Sequence, residues 1–107
     1  MIYHFCTLFD KNYLFRGLAL HKSLLKNCPE FKLWILCMDD ITYEILIKMQ
    51  LDKVELIRLS EFEDHELIKT KISRTQVEYC WTCTPSLLLY ILERTNKLVR
   101  FYLYFYV

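Results

Sequence analysis

Two cysteines separated by two residues, Cys80 and Cys83, form a spacing that can carry redox or metal chemistry. A thioredoxin-like pair needs its first cysteine exposed at a helix start, where the helix dipole lowers the thiol pKa. Pro85 suits a helix start, but the residues before the pair form no clear strand. A zinc site needs four ligands, and no second pair is suitably spaced. The spacing favours buried, inert thiols, with a thiol-disulfide oxidoreductase as the alternative.

Two adjacent carboxylates, Asp39 and Asp40, follow an unbroken apolar run and could perform acid–base chemistry. Because a helical pattern begins directly after them, their position favours a helix cap, with a minor role in lining a pocket. His21 falls within the apolar arc of another predicted helix, which is typical of a hydrogen-bonded core histidine rather than of a ligand. The residues alone therefore predict no catalytic residue and no metal ligand.

The composition limits which classes of protein this chain can belong to. Its 107 residues suit a single domain, and a formal net charge of +1 does not indicate a nucleic-acid partner. One glycine is too few for a phosphate loop or a dinucleotide fingerprint. Five cysteines, an odd number, disfavour a secreted disulfide scaffold. Since no apolar run reaches the roughly 18 residues of a membrane span and no signal peptide is evident, we expect a cytoplasmic protein without a transmembrane segment.

The spacing of apolar residues predicts alternating strands and helices. An unbroken apolar run such as Leu33–Met38 indicates a strand buried on both faces, which is typical of parallel sheets. The predicted elements are strands at 2–8, 33–38, 54–59 and 98–107, and helices at 13–27, 42–49, 61–71 and from Pro85 through Leu92. This order predicts an α/β fold with a Rossmann-like parallel sheet, whose ligands bind at the carboxyl ends of the strands.

The predicted strand 98–107 ends the chain with no helix after it to cover its apolar side chains. We therefore expect one truncated α/β domain over residues 1–107. An uncovered, β-prone and nearly uncharged strand also favours edge pairing, so self-association through this strand is a further expectation.

The segments His4–Gly17 and Leu33–Asp40 resemble the opening of nucleotide-diphospho-sugar glycosyltransferases of the GT-A fold, near the glycogenin-like, family 8-like and lipopolysaccharide galactosyltransferase-like enzymes. Those enzymes begin with a strand, a Thr-rich turn, a Tyr and a helix of the form G-x-x-x-x-x-S-L, here Gly17–Leu24. The segment Val77–Ser86 resembles the helix entry before their catalytic strand. The resemblance covers residues 1 to 97 and implies the N-terminal part of a GT-A domain.

By this resemblance, the turn after the first strand holds the base and ribose of a nucleotide-sugar donor, expected to be UDP-linked. The matching positions are Thr7, Leu8, Asp10 and Tyr13. Backbone groups and a threonine can hydrogen-bond a uracil edge, and a tyrosine can stack on the ring. The basic residue that the family places near the diphosphate corresponds to Arg74, with Lys71 as the alternative, because a cation can pair phosphate oxygens.

The chain departs from the family at its metal site. The family binds a divalent metal, manganese or magnesium, through an Asp-x-Asp motif at the end of its fourth strand. No aspartate follows Asp64 in this sequence, so we expect no metal cofactor and no catalytic residue in this chain. Three functions therefore stand as hypotheses: a donor-binding fragment of a glycosyltransferase, an oxidoreductase that uses Cys80 and Cys83, and a non-catalytic degenerate fragment.

Overall fold

The computed structural model describes residues 2–73, 75–95 and 99–101, and it describes their side chains except at 76, 77, 80, 81 and 99–101. The described elements are, in chain order, β1 (Tyr3–Phe9), a 3₁₀ turn (Lys11–Tyr13), α1 (Leu14–Asn27), β2 (Phe31–Cys37), α2 (Asp40–Met49), β3 (Val54–Arg58), α3 (Leu59–Phe62), α4 (His65–Ile72), α5 (Gln76–Thr95) and β4 (Val99–Phe101). The predicted alternation of strands and helices is confirmed.

The four described strands form one parallel sheet in the order β3-β2-β1-β4. β1 and β2 pair along their whole lengths, from Tyr3 opposite Phe31 to Phe9 opposite Cys37. The chain moves outward from β1 through β2 to β3, and it returns to the other side of β1 to form β4. Strand order thus reverses between β1 and β4, which is where open α/β sheets bind their ligands.

Alternate residues of the inner strands pack into two separate apolar layers. One layer joins Phe9 and Ile35 of the sheet to Leu20 and Leu24 of α1 and to Leu46 of α2. The opposite layer joins the sheet to α3, α4 and α5 and contains Cys6, Leu8, Trp34, Leu36, Phe62, Leu67, Tyr79, Cys83, Leu87 and Ile91. Because helices cover both faces of the sheet, the unbroken apolar run of β2 is explained.

Winding residues 13–27 as a helix at ~100° per residue predicts an apolar side formed by Leu14, Leu18, Leu24 and Leu25. In the structure Leu20, His21 and Leu24 are buried, whereas Leu25 is 45% exposed. The Nε2–H of His21 donates a hydrogen bond to the backbone oxygen of Asp52, at 2.8 Å. The prediction of a hydrogen-bonded core histidine is therefore confirmed.

The last helix begins nine residues before the predicted start at Pro85, so that prediction is wrong. The helix start is a capping box: the Thr75 hydroxyl accepts from the Glu78 N–H at 3.2 Å, and the Glu78 carboxylate accepts from the Thr75 N–H at 3.0 Å. Pro85 lies inside α5, where it has no N–H to donate to the helix. Capping by Thr75 and Glu78 therefore outweighs the preference of proline for a first turn.

The charged stretch 61–71, which we predicted as one helix, is divided between α3 and α4. Asp64 separates them because its extended backbone ends the helical run and its carboxylate caps α4 by accepting from the Leu67 N–H at 2.9 Å. The described part of the predicted last strand is Val99–Phe101, and residues 102–107 lie outside the described residues. Within the described part of the chain, no helix has the length and apolar character needed to cross a membrane.

The packing of α1 against β1 depends on the absence of a side chain at Gly17, because a Cβ there would overlap the ring of Phe9. Phe9 is fully buried, so its ring could move away from a new Cβ only by displacing its neighbours. We predict that Gly17→Ala lowers the free energy of unfolding by about 1–3 kcal/mol, even though alanine favours helix, as measured by urea denaturation. In a Phe9→Leu background, where the ring is absent, Gly17→Ala should lower the free energy of unfolding by a smaller amount. A more stable Gly17→Ala single variant would contradict this packing.

Candidate functional site

The carboxyl ends of β1 and β2 lie side by side, and their pairing continues for one step beyond β2. The backbone N–H of Met38 donates to the backbone oxygen of Phe9 at 3.0 Å. The turn that follows β1 and the residues that begin α2 are consequently adjacent, as the parallel register requires. The candidate site is built at this edge, on the turn Asp10–Tyr13.

Asp10 shapes this turn from within. Its carboxylate accepts from the Asn12 N–H at 2.9 Å, and its backbone oxygen accepts from the Tyr13 N–H at 3.1 Å. The residue is buried. The Asp10 side chain therefore holds the turn in shape, and a ligand here would contact a preformed loop.

Asp39 joins the turn to α2 because each of its two carboxylate oxygens accepts a different backbone N–H. Oδ1 accepts from Thr42 at 2.8 Å, which caps α2, and Oδ2 accepts from Lys11 at 3.1 Å, which lies in the turn after β1. The predicted helix cap is confirmed. Burial alone would raise the pKa of Asp39, but the hydrogen bonds from Thr42 and Lys11 outweigh it and lower that pKa.

Tyr13 ends the turn and directly precedes α1, with its ring half-buried against the apolar layer under α1. The guanidinium carbon of Arg16 lies 5.2 Å from the centroid of this ring. Lys11 and Arg16 are both exposed, and the first turn of α1 contains no acidic residue. Sequence reasoning missed Arg16, although its position three residues after Tyr13 places the two side chains on one helical face.

Thr7 and Leu8 lie in β1 directly beneath this turn, and both are fully buried. Because neighbouring side chains of a strand alternate, Leu8 points into the layer that contains α5, and Thr7 points to the opposite face. Within the described part of the chain, the Thr7 hydroxyl has no hydrogen-bond partner. Neither side chain reaches the surface, so a ligand at this strand end would contact backbone rather than these side chains.

Lys71 belongs to a separate cluster on the helices of the other sheet face. Its Nζ lies 3.2 Å from the carboxylate of Glu63 and 5.5 Å from the centroid of the Tyr79 ring. The Tyr79 hydroxyl donates to the same carboxylate oxygen of Glu63. Arg74, the other basic residue predicted at the diphosphate, lies outside the described residues. The structure thus brings Thr7, Leu8, Asp10 and Tyr13 together at the end of β1, while Lys71 pairs with Glu63.

The Cys80-x-x-Cys83 segment lies within α5 rather than at its start, since Cys80 is the fifth residue of that helix. Cys83 is fully buried, and its burial raises the pKa of its thiol to about 11. A redox cysteine needs the opposite shift, toward a thiolate at neutral pH. Among the described residues, no three His, Cys, Asp or Glu side chains are grouped closely enough to hold a metal ion.

Comparison with known proteins identifies similarity to part of two larger proteins of Bacillus subtilis strain 168. The chain is 36% identical over 92 residues to YfnD, covering 86% of this chain and 30% of YfnD. It is 35% identical over 96 residues to YfnF, covering 90% of this chain and 32% of YfnF. Both are described only as uncharacterized proteins, and the chain spans about a third of their length. No family model and no solved structure matches the chain.

Burial of Cys83 predicts that its thiol is slow to react. At pH 8, iodoacetamide should modify Cys83 roughly tenfold or more slowly than the half-buried Cys28, because few Cys83 thiols are ionised or accessible. Peptide mass spectrometry of the folded chain measures both rates, and the same reaction in urea should remove the difference. Equal rates in the folded chain would restore the basis for a redox function.

The lowered pKa of Asp39 predicts an acid-dependent loss of stability. The ionised carboxylate stabilises the fold at pH values above its unfolded-state pKa, and this contribution is lost as pH falls through the lower folded-state pKa. Asp39→Asn should therefore cost about 1 kcal/mol near neutral pH, and the cost should fall toward zero in acid. Urea unfolding of both proteins at a series of pH values measures this difference, and a difference that does not change with pH would contradict it.

Proposed function

We propose that this chain is a donor-binding part of a GT-A-type glycosyltransferase and that a UDP-sugar binds at the carboxyl end of β1. The observation that carries this proposal is the position of the Asp10–Tyr13 turn, which follows an inner strand at the point where strand order reverses. Ligands of open α/β sheets bind at that point. The chain spans about a third of YfnD and of YfnF, so the sugar transfer itself is proposed for a complete enzyme.

In this proposal the uracil base stacks on Tyr13. A half-buried tyrosine ring offers a planar apolar surface to a base. Because the Thr7 and Leu8 side chains are buried, the edge of the base is recognised by backbone groups at the end of β1. The resemblance implied Thr7, Leu8, Asp10 and Tyr13 as donor-binding positions, and in this proposal Thr7 and Leu8 contribute only their backbone groups.

The diphosphate is assigned to the exposed cations beside the turn. Lys11 and Arg16 lie on either side of Tyr13 in the chain, and the first turn of α1 contains no acidic residue. The charge of Lys11 interacts with the Asp39 carboxylate. A guanidinium can pair with two phosphate oxygens. Lys71 would first have to leave the Glu63 carboxylate, which is 11% exposed, so Arg16 is the better candidate among the described residues.

The divalent metal of the family does not fit this chain. Residues 102–107, which follow β4, contain no carboxylate, and no aspartate occurs after Asp64. The donor is therefore proposed to bind through protein groups alone, with no catalytic step in this chain. The thiol-disulfide alternative gains no support from Cys83, which is buried and has a raised pKa. The Cys80 side chain, on which that alternative depends, lies outside the described residues.

Titration calorimetry with UDP tests this proposal. Replacement of Tyr13 by alanine should weaken UDP binding by roughly five- to 100-fold, as expected for loss of one base–aromatic stack. Tyr13→Phe keeps the ring and should bind as the wild type does. Phe15→Ala removes a neighbouring aromatic side chain that is 84% exposed, and it should leave the affinity unchanged.

The same titration is repeated with manganese, and the affinity should not change because the chain lacks the metal motif. Circular dichroism establishes that each variant is folded. A folded wild-type chain that shows no response at millimolar UDP would refute the proposed function. Equal affinities for the wild type and Tyr13→Ala would refute the role of Tyr13.

A further inference from the structure

We propose that Asp39 is a positioning residue for the donor, which holds the turn after β1, and with it Tyr13, in the geometry that binds the base. This inference rests on the proposed function, because it concerns the same site. The contact that carries it is the hydrogen bond from the Lys11 N–H to Asp39 Oδ2, at 3.1 Å. The two residues are 28 positions apart in the chain, so the contact joins two loops rather than stabilising one.

The two ends of this contact differ in how firmly the fold holds them. Oδ1 of Asp39 accepts from the N–H of Thr42, a fully buried residue at the start of α2. That bond anchors the carboxylate to the body of the domain. The Lys11 N–H, by contrast, belongs to an exposed residue in a 3₁₀ turn of three residues. Asp39 therefore connects the surface turn to the start of α2 and restrains the turn relative to that helix.

The position of Tyr13 follows from that of Lys11 through the turn itself. Within the same turn, the Leu14 N–H bonds to the Lys11 oxygen and the Tyr13 N–H bonds to the Asp10 oxygen. These short-range bonds keep the turn internally rigid but do not fix its orientation relative to the sheet. The Asp39 carboxylate supplies a bond from outside the turn, and a charged acceptor makes it stronger than a neutral one. Loss of that bond would let Tyr13 shift relative to the strand end.

Asp39→Asn isolates this contact because asparagine caps helices as well as aspartate does. The amide keeps only one acceptor oxygen, which the buried Thr42 N–H requires, while water can replace the acceptor at exposed Lys11. The matched control is Asp64→Asn at the cap of α4, where Oδ1 accepts from the Leu67 N–H at 2.9 Å. This exchange is chemically the same, but it lies on a different helix.

UDP calorimetry with these variants gives the first result. Asp39→Asn should weaken UDP binding by about five- to tenfold, the effect of losing one bond to a charged acceptor, while Asp64→Asn should bind UDP as the wild type does. If Asp39→Asn fails to fold, Asp39→Ser takes its place, because serine also caps a helix but is too short to reach both N–H groups.

The amide resonance of Lys11 gives a second result, which a role of Asp39 as the cap of α2 alone would not produce. In the wild type its ¹H–¹⁵N shift should titrate in acid as Asp39 is protonated, and this titration should be absent in Asp39→Asn. Asp10, Lys11, Asp40 and Cys37 are the other titratable groups nearby in sequence or space, and burial raises the pKa of Cys37 to about 12, outside the acid range. Asp10 and Asp40 are unchanged in Asp39→Asn, so a titration of the Lys11 amide that disappears in this variant is caused by Asp39.

Each outcome decides the inference. The positioning role is established if Asp39→Asn binds UDP more weakly than the wild type, Asp64→Asn binds it with unchanged affinity, and the Lys11 amide shift titrates in acid. If the wild type binds UDP and Asp39→Asn binds it equally well, Asp39 is a helix cap only, and the proposed function survives. If the wild type does not bind UDP, the proposed function and this inference both fail.

Discussion

The parallel pairing of β1 with β2 is the constraint on which the rest of this structure depends. All seven residues of each strand are in register, and the pairing continues to the bond between Met38 and Phe9. Parallel strands end at the same edge, so the turn after β1 and the cap of α2 meet there without a specific sequence signal. The adjacency of the Asp10–Tyr13 turn and Asp39 is thus a consequence of strand register, and the bond between Lys11 and Asp39 completes it.

Much of the fold could be predicted because the strongest patterns are local. The unbroken apolar run in β2 indicates burial on both faces, and Asp39 before a helical pattern indicates a cap. The errors arose where two local preferences competed. Pro85 favours the first turn of a helix, yet α5 starts earlier, at the capping box of Thr75 and Glu78. That box provides hydrogen-bond acceptors for the N–H groups of Thr75 and Glu78, which a proline in the first turn would not do. The pattern Thr-x-x-Glu was present in the sequence and would have predicted the observed start.

Less of the candidate site could be predicted, because side-chain direction depends on packing. The resemblance marked Thr7, Leu8, Asp10 and Tyr13 as neighbours, and the structure brings them to one strand end. It could not show that Thr7 and Leu8 point into opposite apolar layers. Nor could it show that Lys71 is paired with Glu63, which depends on how α3, α4 and α5 pack together. The contact between Lys11 and Asp39 spans 28 residues, and no local pattern encodes it.

The contact between Arg16 and Tyr13 bears on how the proposed site would respond to a nucleotide. A cation over an exposed aromatic ring contributes about 0.5–1 kcal/mol, whereas a base stacked on an aromatic ring contributes about 1–3 kcal/mol. A uracil ring can therefore displace the Arg16 guanidinium from Tyr13, 5.2 Å away, without a large opposing cost. The displaced guanidinium stays on the first turn of α1, close to where the diphosphate of the same nucleotide would lie. Since phosphate is a stronger partner for arginine than an aromatic face, Arg16 would, in the proposed complex, exchange the Tyr13 ring for the diphosphate as the base binds.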